Sequence, residues 1–427
     1  MANNKFNAIL HRATSVFLYV MVIYLPFYEL VLHLLESKTS LSPSVVFWAT
    51  HFYEPLVAII ILIYLAKFII LRKLPNLGRG DLYLLIFLLL AIVSVALHRG
   101  EWSRGLEGLR FLALPFVIYL IARISDYKNP KKLVLTYLWI AGLFATIGVV
   151  EYFLMPKGYF ASYFGIASFG FGQNSLISTS QATAFLAGPN QLASYLLLAF
   201  FYLLHRYFSS DRHLLAEPDN YLLVIVTVAI GLTYSRSALV GLAVAALWMF
   251  IYFGKEQRKK IIYSILFIVA AVTLAVSYAL MNGELLRDLL THGSSFSQHL
   301  LATRDSFSQF IHGGVGKILF GFGVGTAGPT ALKIGGIITE NYYLQIIFEV
   351  GFVGFVFFGL FIAGLLTKLY SGSKTLFFAF IALLVNALFL HILADNPAMA
   401  VTIFIIVATI INIETNNVET TQITTQT

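Results

Sequence analysis

Runs of some twenty apolar residues recur along nearly the whole of this 427-residue chain, and that recurrence constrains the fold more than any other feature. A helix of about 20 residues crosses the roughly 30 Å hydrocarbon core of a bilayer and satisfies its own backbone polar groups while doing so. With 59% hydrophobic residues and 11% charged ones, a water-soluble domain of this size is excluded. The runs predict an all-α, polytopic membrane protein with about 12 transmembrane helices. The spans fall near 14–36, 53–71, 82–98, 109–123, 133–155, 190–208, 220–234, 237–254, 261–281, 341–367, 376–394 and 397–413.

The basic residues orient these spans. With the N-terminus cytoplasmic, 18 of the 28 Lys and Arg side chains fall on inner segments and ten on outer ones, which follows the positive-inside rule. Both termini are then expected in the cytoplasm, and the first span reads as a retained signal-anchor. The net charge of +8 forms no continuous patch, so nucleic acid is not expected as a partner. The chain has no cysteine, which excludes disulfides and thiolate metal sites.

Most connections are short, and two are long: 156–189 and 282–340, both on the expected outer face. A single transmembrane domain over 1–413 with these two outer loops is the expected organisation. The large loop is read as a cap over the bundle, with the functional site beneath it. Residues 414–427, rich in Thr, Asn and Gln, read as a disordered cytoplasmic tail. No internal repeat has a fixed period, which counts against an inverted-repeat transporter.

Chemistry concentrates on the expected outer face. In Thr-Tyr-Ser-Arg-Ser-Ala-Leu-Val-Gly (233–241), the hydroxyls of Thr233 and Ser235 are expected to cap a helix beginning near Arg236. A helix N-terminus beside a guanidinium suits a diphosphate. The alternative for a lone arginine here is a topological residue snorkelling to headgroups. Arg304 lies in a helix-like stretch with Phe307 and Phe310 expected on one face, and offers either a second cation or an ion pair with Asp305. Arg104 and Arg110 precede the fourth span as further candidates. Phe-Gly-Phe-Gly-Val-Gly-Thr-Ala-Gly (320–328) contains a literal G-x-G-x-x-G, but with no preceding strand it reads as turns that fold the loop back.

Glu340 opens the tenth span beside Asn341, either as a general base or as a first-turn carboxylate behind a Thr339 cap. Nine residues at 100° each put Glu349 on the opposite face and about 13 Å deeper, where it reads with Gly351 and Gly354 as helix packing. His391, Asp395 and Asn396 form a possible polar contact near the last outer turn, without metal-ligand spacing. Asn190 opens the sixth span after Gly188 and Pro189, as a substrate contact or a cap.

Four elements in order, Gly-Pro-Asn-Gln-Leu-Ala (188–193), residues 233–241, the Arg304 segment followed by Leu-Phe-Gly-Phe-Gly-Val-Gly (319–325), and Glu-Asn-Tyr-Tyr-Leu-Gln-Ile-Ile-Phe-Glu-Val-Gly-Phe-Val-Gly (340–354), give the chain its nearest likeness. Over roughly residues 80–410 it resembles the bacterial O-antigen ligase and polymerase superfamily, inner-membrane glycosyltransferases with a GT-C-like helical fold. The resemblance implies that Arg236 and Arg304 hold the diphosphate of an undecaprenyl-diphosphate-linked glycan donor, facing the periplasm. It implies further substrate contacts at Arg104, Arg110, Asn190, Asn341 and Tyr343, and neither metal nor cofactor. Glu340 stands where ligases that use lipid A-core as acceptor look to carry histidine, which favours a repeat-unit polymerase with Glu340 as base. Ligation to lipid A-core or another acceptor is the alternative, and a lipid-linked oligosaccharide transporter ranks lower. Gln181 departs from an arginine often found in relatives. Implied partners are a lipid-linked acceptor, membrane lipids and a chain-length regulator.

Overall fold

A computed structural model describes residues 2–38, 41–71, 77–97, 102–125, 129–156, 159, 181–209, 218–253, 262, 293–328, 331, 336–337, 339, 341–394 and 397–426. Among these it contains fifteen α-helices. They are α1 (Ala2–Tyr24), α2 (Tyr28–Lys38), α3 (Pro43–Thr50), α4 (Tyr53–Leu71), α5 (Arg79–Leu97), α6 (Trp102–Ile124), α7 (Pro130–Leu154) and α8 (Pro189–Ser209). They continue with α9 (Pro218–Leu232), α10 (Arg236–Tyr252), α11 (Gly293–His312), α12 (Val315–Phe320), α13 (Tyr342–Gly372), α14 (Lys374–Asn386) and α15 (Pro397–Gln426).

Helix α8 is the centre of the bundle. Every side chain from Gln191 to Phe201 is buried, enclosed by α7, α9, α10, α14 and α15. Its polar ends, Pro-Asn-Gln and His-Arg, are tolerable because neighbouring helices cover it. Around it, α5 packs on α13, α10 on α14, and α15 on α6.

Five helical segments are long and apolar enough to cross a membrane: Leu10–Glu36, Arg79–Leu97, Trp102–Ile124, Pro130–Leu154 and Tyr342–Gly372. The pair Pro43–Thr50 and Tyr53–Ile69, bent by 49°, makes a sixth. Fewer than twelve meet the criterion because Asp219–Leu232, Arg236–Tyr252, Lys374–Asn386 and Met399–Ile413 are shorter apolar helices, and α8 is polar at both ends. The expected span 261–281 lies outside the described residues apart from Ile262. The segment from 414, expected as a disordered tail, is helical to Gln426 as the end of α15. A helix already formed by its packed part extends at little nucleation cost.

At one end of the bundle Asp81 in the first turn of α5 is buried. Its carboxylate accepts from Lys368 Nζ (2.7 Å), Tyr119 Oη (3.0 Å) and Gly78 N (2.9 Å), with Arg123 4.0 Å away. Arg123 also donates to Asn412. At the other end of the same pair of helices, Ser94 Oγ donates to Glu349 O (3.3 Å), so α5 and α13 run antiparallel. The end carrying Arg236 and Arg304 is opposite Asp81, and the candidate site lies there.

Helix α13 is broken at Gly351, where φ is 76° and ψ is 179°. No helix passes through that conformation, and a side chain would strain it. Phe322 N donates to Phe348 O (2.8 Å), so the chain after α12 docks on the interrupted backbone.

Candidate active site

The turn between α9 and α10 positions Arg236. Tyr234 has φ of 50°, a left-handed conformation that costs free energy in a residue with a Cβ and persists only where its surroundings hold it. Here Tyr152 Oη, at the end of α7, lies 2.7 Å from Tyr234 Oη. Thr233 does not cap α10. Its hydroxyl donates back to Ile230 O (2.7 Å) and accepts from Ser235 N (3.3 Å), closing α9 instead. Ser235 occupies the N-cap position, but its hydroxyl lies 3.4 Å from Ser237 Oγ and makes no capping bond. The first turn of α10 therefore begins without a side-chain acceptor, with Arg236 exposed on it.

Glu151 organises the approach to Asn190. Its buried carboxylate accepts from Thr183 N (2.7 Å), Thr183 Oγ1 (2.9 Å) and Ala184 N (2.8 Å). Ala184 has φ of 49°, and Ala182 N donates to Leu232 O (3.1 Å). The end of α7 thus fixes two neighbouring segments, through Glu151 the one leading to Asn190 and through Tyr152 the turn leading to Arg236. Sequence reasoning passed over Glu151, although a lone carboxylate in an apolar span is itself a signal.

Helix α13 starts beside this turn. Asn341, not Thr339, is its cap: Oδ1 accepts from Leu344 N (3.0 Å) while Nδ2 donates to Leu388 O (2.8 Å). Tyr342 N donates to Ala387 O (3.1 Å), and Tyr343 Oη to Leu384 O (2.8 Å), so the Tyr343 hydroxyl is engaged in joining α13 to α14. Thr339 Oγ1 lies 2.8 Å from His391 Nε2. Helix α10 runs antiparallel to α14, with Tyr252 beside Lys374 and Gly241 against the Ala382 carbonyl. An equal number of residues further along each helix lie Arg236 and Ala387, which puts Arg236 at the level where α13 begins.

Arg304 joins the same level through its neighbour. Thr303 Oγ1 donates to Thr339 O (3.3 Å), docking α11 where the chain returns to α13, and Arg304 is exposed there. Phe307 and Phe310 do not share an environment: Phe310 is buried near Phe348, while Phe307 is 54% exposed. Arg104 is half-buried against the glycine loop 321–328. Arg110 Nε pairs with Glu54 Oε1 at 2.5 Å, beside Tyr53 and Tyr28. Asn190 is half-buried in the first turn of α8. Glu340, Asp395 and Asn396 lie outside the described residues. Among the described residues, no three His, Asp or Glu side chains group as a metal cage.

Two features expected to be unremarkable carry structure. Gly325 N and Ala327 N donate to Glu349 Oε1 (3.2 and 3.3 Å), so the G-x-G-x-x-G segment closes around a buried carboxylate. Glu349 is more than a packing residue, and the segment is more than a turn.

The chain is thus a multi-pass helical membrane protein in which two exposed arginines and an uncapped helix start lie at the same end of the bundle, an arrangement suited to an anionic group. Residues 221–359, about a third of the chain, match the O-antigen ligase family model, a likeness to the O-antigen ligase and polymerase superfamily. The matched segment includes Arg236, Arg304, the glycine loop and the start of α13, and excludes Glu151, Asn190, Arg104 and Arg110. No curated protein and no solved structure matches the chain.

Proposed function

We propose that the protein is a metal-independent polymerase of undecaprenyl-diphosphate-linked oligosaccharide repeat units, working on the periplasmic side of a bacterial inner membrane. The observation that carries this reading is the shared level of Arg236, the Arg304 helix and the start of α13, inside a segment that matches the O-antigen ligase family. In the proposed reaction an acceptor hydroxyl of one lipid-linked unit attacks the anomeric carbon of the growing chain. The new glycosidic C–O bond forms as the bond to the diphosphate oxygen breaks, and undecaprenyl diphosphate leaves with the electron pair. Glu340 takes the hydroxyl proton, while Arg236 and Arg304 stabilise the charge developing on the leaving group. Asn190 and Arg104 border the donor, and a GT-C-like arrangement of helices frames them.

The test is purified protein with a synthetic undecaprenyl-diphosphate-linked repeat unit as sole substrate, with the glycolipids separated on a gel. A ladder of lengthening chains supports the polymerase. Arg236→Ala is expected to lower transfer by about 100-fold or more with membrane insertion intact, as for loss of one charge-stabilising group; wild-type turnover would remove Arg236 from the site. Glu340→Gln should lower turnover far more than donor affinity. EDTA should have no effect, and activity lost to EDTA and restored by a divalent ion would overturn the metal-free mechanism. The description of the matching family as O-antigen ligase favours a second reading: no ladder, but transfer once lipid A-core is added, would make the protein a ligase.

A further inference from the structure

The glycine loop and Glu349 form a closed arrangement that the transfer chemistry does not itself require. Glu349 is fully buried, and a buried carboxylate without donors is costly. Its Oε1 receives the amides of Gly325 and Ala327, which approach it from a loop 24 and 22 residues earlier in the chain. Gly321, Gly323, Gly325 and Gly328 all have positive φ, between 76° and 111°. Such turns direct backbone N–H groups into a concavity that holds an acceptor, and here the acceptor is the protein's own carboxyl oxygen.

The loop is fitted on three sides. A Cβ at Gly325 would come within 2.5 Å of Arg104 O, so the loop backbone lies directly on the first turn of α6. Phe322 stacks on Phe348 with ring centroids 4.3 Å apart. The broken backbone at Gly351 faces Leu319 and Gly321. From the loop, backbone bonds continue toward the candidate site: Ile337 N donates to Thr326 O (3.1 Å) and Gly328 N to Ile337 O (3.1 Å). Two residues further on, Thr339 meets Thr303 and His391 and precedes the Asn341 cap.

We propose that Glu349 is a positioning residue: by accepting two amides of the glycine loop, it fixes the placement of the Arg304 helix and of the chain that returns to α13. The docking half of this stands on the hydrogen bonds alone; the positioning half rests on the proposed glycosyl transfer. Glu349 touches no substrate in this account and acts through the loop.

The chain has no cysteine, so a single introduced thiol gives a clean reading. Ala327 is fully buried. In full-length protein in detergent, A327C should react slowly with a maleimide. Glu349→Ala in that background should raise the labelling rate about tenfold or more, since two buried donors lose their acceptor. Glu349→Gln should restore slow labelling, because an amide oxygen still accepts both N–H groups. Equal rates with and without Glu349 would overturn the docking. If Glu349→Ala fails to fold, Glu349→Met serves instead: it fills a similar volume without an oxygen acceptor, and labelling that stayed slow there would equally overturn the docking.

Kinetics test the positioning half. Misplacing Arg304 should raise KM for the lipid-linked donor, and Glu349→Gln should bring it back, whereas a lower folded fraction reduces only the maximal rate. Faster labelling with unchanged KM would overturn the positioning role. Faster labelling in a protein whose wild type transfers no glycan would leave the docking standing and count against the proposed function.

Discussion

The two ends of the bundle treat buried carboxylates in opposite ways. At one end Asp81 is met by a cation, Lys368, with Arg123 nearby, so charges of both signs meet among three helices. At the other end Glu151 and Glu349 are met mainly by backbone amides of two loop segments. Amides satisfy a carboxylate without consuming a guanidinium. Arg236 and Arg304 are exposed at that end, and Arg110 is paired there with Glu54. The contrast teaches that the Asp81 end is organised for cohesion. The other end exposes positive charge at Arg236 and Arg304 while its carboxyl groups hold loops in place.

The largest effect is expected where the contrast is broken at the Asp81 end. Asp81→Ala strands Lys368 and Arg123 around a buried position, and should cost about 3 kcal/mol or more, the range for breaking a buried pair. Thermal unfolding in detergent measures it, and Lys368→Met in the same background should recover part of the loss. A midpoint unmoved by Asp81→Ala would show that the ion pair does not hold this end together.

Glu151→Ala should cost about 2 kcal/mol, because the buried donors of Thr183 and Ala184 lose their acceptor. A single cysteine at the buried Ala182 should then label faster, with the Asp81 end unaffected. Labelling that stayed slow would mean that the bond from Ala182 to Leu232 is sufficient to hold the segment. Gly351→Ala should cost about 1–2 kcal/mol through left-handed strain, read from the same unfolding curves; no change would mean that the break relocates freely.

The smallest effect is expected at Arg110. Arg110→Ala should cost less than about 1 kcal/mol, since its pairing with Glu54 is partly solvent-exposed. Loss of transfer as steep as that of Arg236→Ala would return Arg110 to the substrate site and weaken the contrast drawn between the paired Arg110 and the exposed Arg236 and Arg304.

Hydropathy made the helices legible, because a span's apolar length is written in consecutive residues. The Arg236 helix start was legible too, from a polar motif between two apolar runs. Its capping was not: Thr233 and Ser235 carry the right hydroxyls, yet Thr233 turns back to Ile230, and Asn341 rather than Thr339 caps α13. A hydroxyl has several backbone partners within reach, and the packing of α9 against its neighbours selects among them. The likeness to glycosyltransferases rested on four short motifs, and the family match covers three of the four, all but the Gly-Pro-Asn element.

By itself the sequence determined that this protein is helical, lies in a membrane and carries cations at particular span ends, since each of these follows from local composition. Only the tertiary structure decided which carboxyl groups are met by a cation and which by amides. Those partners stand 287 residues apart for Asp81 and Lys368, 32 for Glu151 and Thr183, and 24 for Glu349 and Gly325. A buried charge takes whichever donor the fold brings to it, and no local pattern specifies a donor so distant in the chain.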